Sequence, residues 1–160
     1  MRVEVTMGEV PKKVTHEPGE VWKLIAYTVM TDVTNYVANR LALNTPSGAT
    51  GMLARSVTPS VERNLAGNWE GHIDYAEPAG FYAGFAEDGT RPHWPPYAPI
   101  ELWAIRVLGT SDPKVVGGIR RSIAMHGTKP QKFVQKTVDS LGSEVGMVAD
   151  MAVGKAIAKL

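Results

Sequence analysis

Between Glu20 and Leu43 the apolar residues Trp22, Ile25, Val29, Val33, Tyr36, Val37 and Leu41 recur every three or four positions. That spacing lays one apolar stripe along a long amphipathic helix. Pro18 and Gly19 precede it, and Asn44-Thr45-Pro46 stops it, because the residue before a proline is pushed out of helical geometry. Many residues of the segment are β-branched, which lowers intrinsic propensity, but a period sustained over about six turns outweighs that. Residues 44–51, NTPSGATG, then form a loop, with Thr50 placed to cap a short helical turn through Met52, Leu53 and Ala54. The period next drops to two. Val57, Val61 and Leu65 share one parity, Trp69, Ile73 and Tyr75 also share a parity, and Ala66-Gly67-Asn68 is a turn signal between them. A β-hairpin over about 56–77 follows, with Pro59 marking an edge strand.

Beyond Glu77-Pro78, Phe81, Ala83 and Phe85 alternate with Tyr82, Gly84 and Ala86, which predicts a third strand over 81–86. Residues 91–99, RPHWPPYAP, hold four prolines in nine positions and read as a stiff extended loop. Pro99 suits the first turn of a helix over about 97–108, where only Glu101 and Arg106 are charged. A helix apolar nearly all round is buried or covered by a partner chain. Gly109 ends it, Asp112 caps the next helix with Pro113 at its first position, and Gly127 closes that one. Thr128-Lys129-Pro130-Gln131 fits a capping box, and Val134, Val138, Leu141, Val145, Val148 and Ala152 continue as one helix toward the end of the chain. Residues 1–18 alternate weakly and contain Pro11 and Pro18, an N-terminal arm or edge strand.

The expected architecture is therefore α+β. A small antiparallel sheet packs against a long N-terminal and a C-terminal helix, with a helical insert at about 97–127. The 160 residues make one domain over 19–160 behind the arm. Seventeen basic against sixteen acidic residues leave a net charge of +1, a poor balance for sequence-blind phosphate binding. There is no cysteine, which excludes disulfides, thiolate metal sites and cysteine nucleophiles. No apolar run is long enough to span a bilayer. Histidines stand at 16, 72, 93 and 126, with no local metal-ligand spacing, so neither metal nor cofactor is expected.

Three clusters carry candidate chemistry. Glu87, Asp88, Arg91 and His93 are densely polar, and an acid/base site for a small hydrolase or nuclease would use His93 as base with Glu87 or Asp88 orienting it. The competing reading is a turn that fixes an interface loop, since no nucleophile or oxyanion hole accompanies them by spacing. Lys114, Arg120 and Arg121 would touch phosphate in a nucleic-acid-binding module, or form a solvated helix face. Trp94, Tyr97 and Trp103 flank the proline run as a core plug or a preordered contact surface.

Three short blocks resemble one family. Thr50-Gly51-Met52-Leu53-Ala54-Arg55-Ser56 is similar to a T-G-x-L-x-x-S turn, with Thr50, Gly51, Leu53 and Ser56 matching. The second block, Tyr82-Ala83-Gly84-Phe85-Ala86-Glu87-Asp88-Gly89-Thr90, is similar to Y-A-x-x-x-E-x-G-T, on Tyr82, Ala83, Glu87, Gly89 and Thr90. The third, Gly127-Thr128-Lys129-Pro130-Gln131-Lys132-Phe133, is similar to G-x-x-P-x-x-F, on Gly127, Pro130 and Phe133. Their order resembles the tail-completion or head–tail joining proteins of long-tailed bacteriophages, related to minor tail protein Z. The resemblance covers roughly residues 20–150. About 36 residues separate the second block from the third, an insert that longer members carry.

The resemblance implies a non-enzymatic virion protein, made in the host bacterial cytoplasm. It implies a homo-oligomeric ring at the neck, between the head connector or adaptor and the tail tube or tail terminator. Genome DNA would pass through that ring, and no membrane, catalytic residue, cofactor or metal is involved. A tail terminator is the nearest alternative. A ring requires two different patches on each subunit, and the long first helix, the Trp94 loop and the 97–108 helix are the candidates.

Overall fold

A computed structural model describes Arg2–Thr6 and residues 20–158. Its strands are β1 (Arg2–Thr6), β2 (Val57–Arg63) and β3 (Trp69–Tyr75). Its helices are α1 (Glu20–Asn44), α2 (Met52–Arg55), α3 (Gly80–Asp88), α4 (Tyr97–Trp103), α5 (Pro113–His126), α6 (Phe133–Leu141) and α7 (Glu144–Ile157). The sheet is antiparallel in the order β1-β3-β2, so β3 is central and the proline-bearing β2 is an edge. The expected α+β architecture is present. Residues 7–19, the remainder of the expected arm, lie outside the described residues, as does His16; residues 2–6 form the other edge strand.

The stripe on α1 is buried through its middle and end, with Ile25 and Tyr36 half-buried, while Trp22 at its start stays exposed. Val29, Val33, Val37 and Leu41 meet Ile73 and Tyr75 of the sheet and Phe133 and Ala152 of the C-terminal helices in one core. Gly71 lets α1 approach β3 closely, because a Cβ there would collide with the Thr34 side chain. Two buried hydroxyls are satisfied locally, Thr34 donating to the Met30 carbonyl at 2.7 Å and Thr137 to the Phe133 carbonyl at 2.7 Å, whereas the buried Thr31 hydroxyl has no partner among the described residues. Thr45 donates to the Leu41 carbonyl at 2.7 Å and lies 2.7 Å from the Tyr75 hydroxyl. Burial pushes the Tyr75 phenol up to about 12. The Tyr75 and Phe133 rings meet edge to face, 6.1 Å apart, and join the sheet to α6.

Several expectations are corrected. Residues 81–86 are not a strand but the middle of α3. Six alternating residues fit either period, and the tertiary context selects the helical one, in which Ala79, Ala83 and Glu87 are buried at i, i+4 and i+8. Leu65, read as a strand position, sits fully exposed at the hairpin tip, where Asn64 and Asn68 close the turn through their backbones at 2.9 Å. Gly51, in the left-handed region, holds the cap position of α2, while the Thr50 hydroxyl still accepts from the Met52 N–H at 3.3 Å. The C-terminal helix is two helices, broken at Gly142 with φ of 40°. The expected capping box does not form: Thr128 is paired with Thr90, and α6 begins five residues later, at Phe133.

The 97–108 helix forms as α4, followed by a π-helical turn over Ala104–Leu108 that Gly109 closes. Asp112 caps α5 as read, its carboxylate accepting from the Lys114 N–H at 2.8 Å.

Candidate interaction surface

The second and third sequence blocks, far apart in the chain, form one joint. Thr90 and Thr128 make a single antiparallel bridge, their hydroxyls 3.0 Å apart. Gly89 and Gly127 flank it with φ of 74° and 71°, and a Cβ on either would collide with the backbone across the bridge. The Gln131 N–H donates to the Ala86 carbonyl at 3.1 Å and the Lys132 N–H to the Glu87 carbonyl at 3.2 Å. Glu87 is buried, and its carboxylate accepts from the Val134 N–H at 2.9 Å and the Gln135 N–H at 3.5 Å. A carboxylate there satisfies the free donors of α6 and opposes the positive end of its dipole. Lys132 pairs with Asp88 at 2.6 Å, and that hydrogen bond holds its ammonium above the ordinary value.

This geometry locates the block residues. Glu87, Gly89, Thr90 and Gly127 build the joint. Phe133 is core, and Pro130 follows the bridge at the surface. Ala83 is buried while Tyr82 stands exposed on α3. In the first block Ser56 donates to the Leu53 carbonyl at 2.8 Å, and its own carbonyl accepts from the Ala76 N–H at 2.7 Å, tying α2 to the hairpin. Leu53 packs against the core.

The acid/base trio does not assemble. Glu87 is committed to α6 and Asp88 to Lys132, while His93 is exposed, its Nδ1 2.9 Å from the Arg91 carbonyl. Among the described residues no group of three or more His, Asp or Glu side chains converges as metal ligands. His72 is buried on the central strand with Nε2 3.9 Å from Glu70, and His126 lies beside the Ser122 carbonyl. The basic trio is also divided. Arg120 donates from Nε to the Pro95 carbonyl at 3.0 Å and stacks on Trp94 and Tyr97, 5.0 and 5.5 Å from their ring centroids. Lys114 and Arg121 stay exposed on α5.

What the chain leaves uncovered is apolar. Trp94 is 60% exposed, so it is not a core plug. Prolines stiffen its loop and Arg120 fixes its ring, so presenting it costs little further order. On α4 and the π turn only Ala104 is buried; Leu102, Ile105, Val107 and Leu108 are each 41–50% exposed. Beside the joint, Phe81 stacks with Tyr82 and Phe85 at 5.6 and 5.9 Å, all three exposed.

A second surface carried no sequence signal. An open groove of about 820 Å³ runs between α1 and α7, lined by Tyr36, Arg40, Leu43, Glu144, Met147 and Met151 among others. At its centre one Glu144 oxygen accepts from the Tyr36 hydroxyl and from Arg40 Nη2, while Arg40 Nε donates to the Tyr36 oxygen at 3.2 Å. Those two donors hold the Glu144 carboxyl below its ordinary value, and its acceptance raises the Tyr36 phenol. The i, i+4 spacing of Tyr36 with Arg40 and of Met147 with Met151 is visible in the sequence. Their convergence across more than a hundred residues is not.

No family model, no curated protein and no solved structure matches this chain. Among the described residues no helix is long and apolar enough to cross a membrane.

Proposed function

We propose that this chain is a non-enzymatic structural subunit of a bacteriophage head–tail interface. It assembles with copies of itself into a ring that joins the head connector to the tail and lets genome DNA through. It is made in the host cytoplasm and works in the virion neck. The observation that carries the reading is the uncovered apolar surface: a proline-held tryptophan and an apolar helix face left to solvent on a chain whose core is otherwise closed. Exposed apolar area of that kind marks a surface that another chain covers. The phage assignment rests on the three blocks, and the clasp between the second and third gives their order along the chain a physical purpose.

The test is genetic and visual. Particles from cells carrying the gene contain the chain by mass spectrometry, and disrupting the gene leaves filled heads and separate tails. Normally joined particles in its absence would overturn the proposal.

A further inference from the structure

Two uncovered features of this chain are opposite in shape and charge. One is a projection, the Trp94 loop on its Arg120 support. Residues 91–127 around it hold five basic residues (Arg91, Arg106, Lys114, Arg120, Arg121) against two acidic ones (Glu101, Asp112). The other is the shallow open groove between α1 and α7, where Arg40 is already paired with Glu144. Asp150, on its lining, has no ion pair among the described residues. The floor of the groove is thioether and aliphatic: Met147 and Met151 are 56% and 67% exposed.

We propose that the Trp94 projection of one copy seats in the α1/α7 groove of the next. The inference rests on the ring reading and specifies its heterologous contact. The chemistry matches on three counts. Methionine sulfurs and flexible side chains accommodate an aromatic ring well. The indole N–H needs an acceptor once covered, and the Asp150 carboxylate offers one. The basic flank, Arg91 and Arg121 foremost, meets the Asp150 carboxylate that Arg40 does not neutralise, which steers encounter and disfavours projection-to-projection contact. Trp, Tyr and Arg are the residue types that dominate such interfaces, and here they already stack as one unit.

The groove accepts only the projection, so defects in the two halves complement each other. Trp94→Ala abolishes the projection and Met151→Asp the groove. Leu43→Asp, at another exposed groove position, serves as a second groove variant, and melting curves check the fold of each. By light scattering, each variant alone is expected to be monomeric where the unaltered chain oligomerises. A mixture of the two types forms a dimer and stops there, because only one intact contact remains. The chain has no native cysteine, so engineered thiols report without background. His93→Cys in one preparation and Asn39→Cys in another should cross-link when mixed through a short bismaleimide, with no His93→Cys pairs.

Unchanged oligomers in both variants, or His93→Cys copies linking to each other, would overturn this contact and leave the ring reading standing. An unaltered chain that stays monomeric at every concentration would overturn the ring reading itself.

Discussion

The α1–sheet–C-terminal body and the insert of residues 91–127 are built on different terms. In the body, α1 is covered by β3 on one side and by α6 and α7 on another, and Val33, Val37, Leu41, Ile73 and Phe133 are all buried. In the insert, Pro95, Ala104 and Val116 are the buried apolar side chains, and α4 and α5 lean mainly on each other. The insert is held to the body by hydrogen bonds: the Thr90–Thr128 bridge closes its base, and Arg106 donates to the Ala49 carbonyl at 3.2 Å. The apolar content of the two regions is similar in kind, but among the described residues only the body buries most of it. A well-packed body thus carries a sparsely buried element, and we propose that a second copy of the chain supplies its missing contacts.

The largest expected effect probes the body. Phe133→Ala removes a fully buried ring against Tyr75 and should cost about 3–5 kcal/mol in denaturant unfolding; a loss under about 1 kcal/mol would refute the single shared core. Next comes the joint between the regions. Gly127→Ala places a Cβ against the Thr90 backbone at a φ of 71° and should cost about 2–3 kcal/mol, with hydrogen-exchange protection lost first in α5. Glu87→Ala frees two N–H groups of α6 and should cost about 2 kcal/mol, and an unchanged melt would refute its capping role.

Acid probes the body's outer seam. The folded-state pKa of Glu144 lies below 4.5, so its contribution is complete above that value and is lost as pH falls through the depressed one. Glu144→Gln should flatten that acid limb in a pH series of melting curves, and an unaltered limb would discount the seam. At the alkaline end Tyr75 acts in reverse: its contribution is intact below pH 10.0 and fades as pH rises toward 12. Smallest of all for stability is Trp94→Ala, under about 0.5 kcal/mol for an exposed ring away from the core, with assembly impaired nonetheless. A large loss of monomer stability would make Trp94 part of the fold rather than of a contact.

Legibility followed the same division. The α1 stripe, the hairpin, the Asp112 cap and the Gly109 and Gly127 stops were all readable, because period and cap chemistry are local. The motif block around Glu87 was noticed but its purpose was not: nothing in E-x-G-T says that the carboxylate will reach N–H groups 47 residues on. The α3 segment is ambiguous in the sequence because six residues hold too little period to separate helix from strand. Thr128 has the spacing to Gln131 of a cap, but in the fold it pairs with Thr90 instead. The groove was invisible, since Tyr36, Arg40 and Glu144 carry no shared pattern.

The amino-acid order alone thus determined which segments coil, which extend and where each stops, since those choices depend on neighbours a few residues away. Three-dimensional packing decided which apolar faces found cover and which were left open, and it made Glu87, a candidate to orient His93, into a helix cap. Those outcomes depend on residues brought together from opposite ends of the chain, and no local pattern encodes the distance between them.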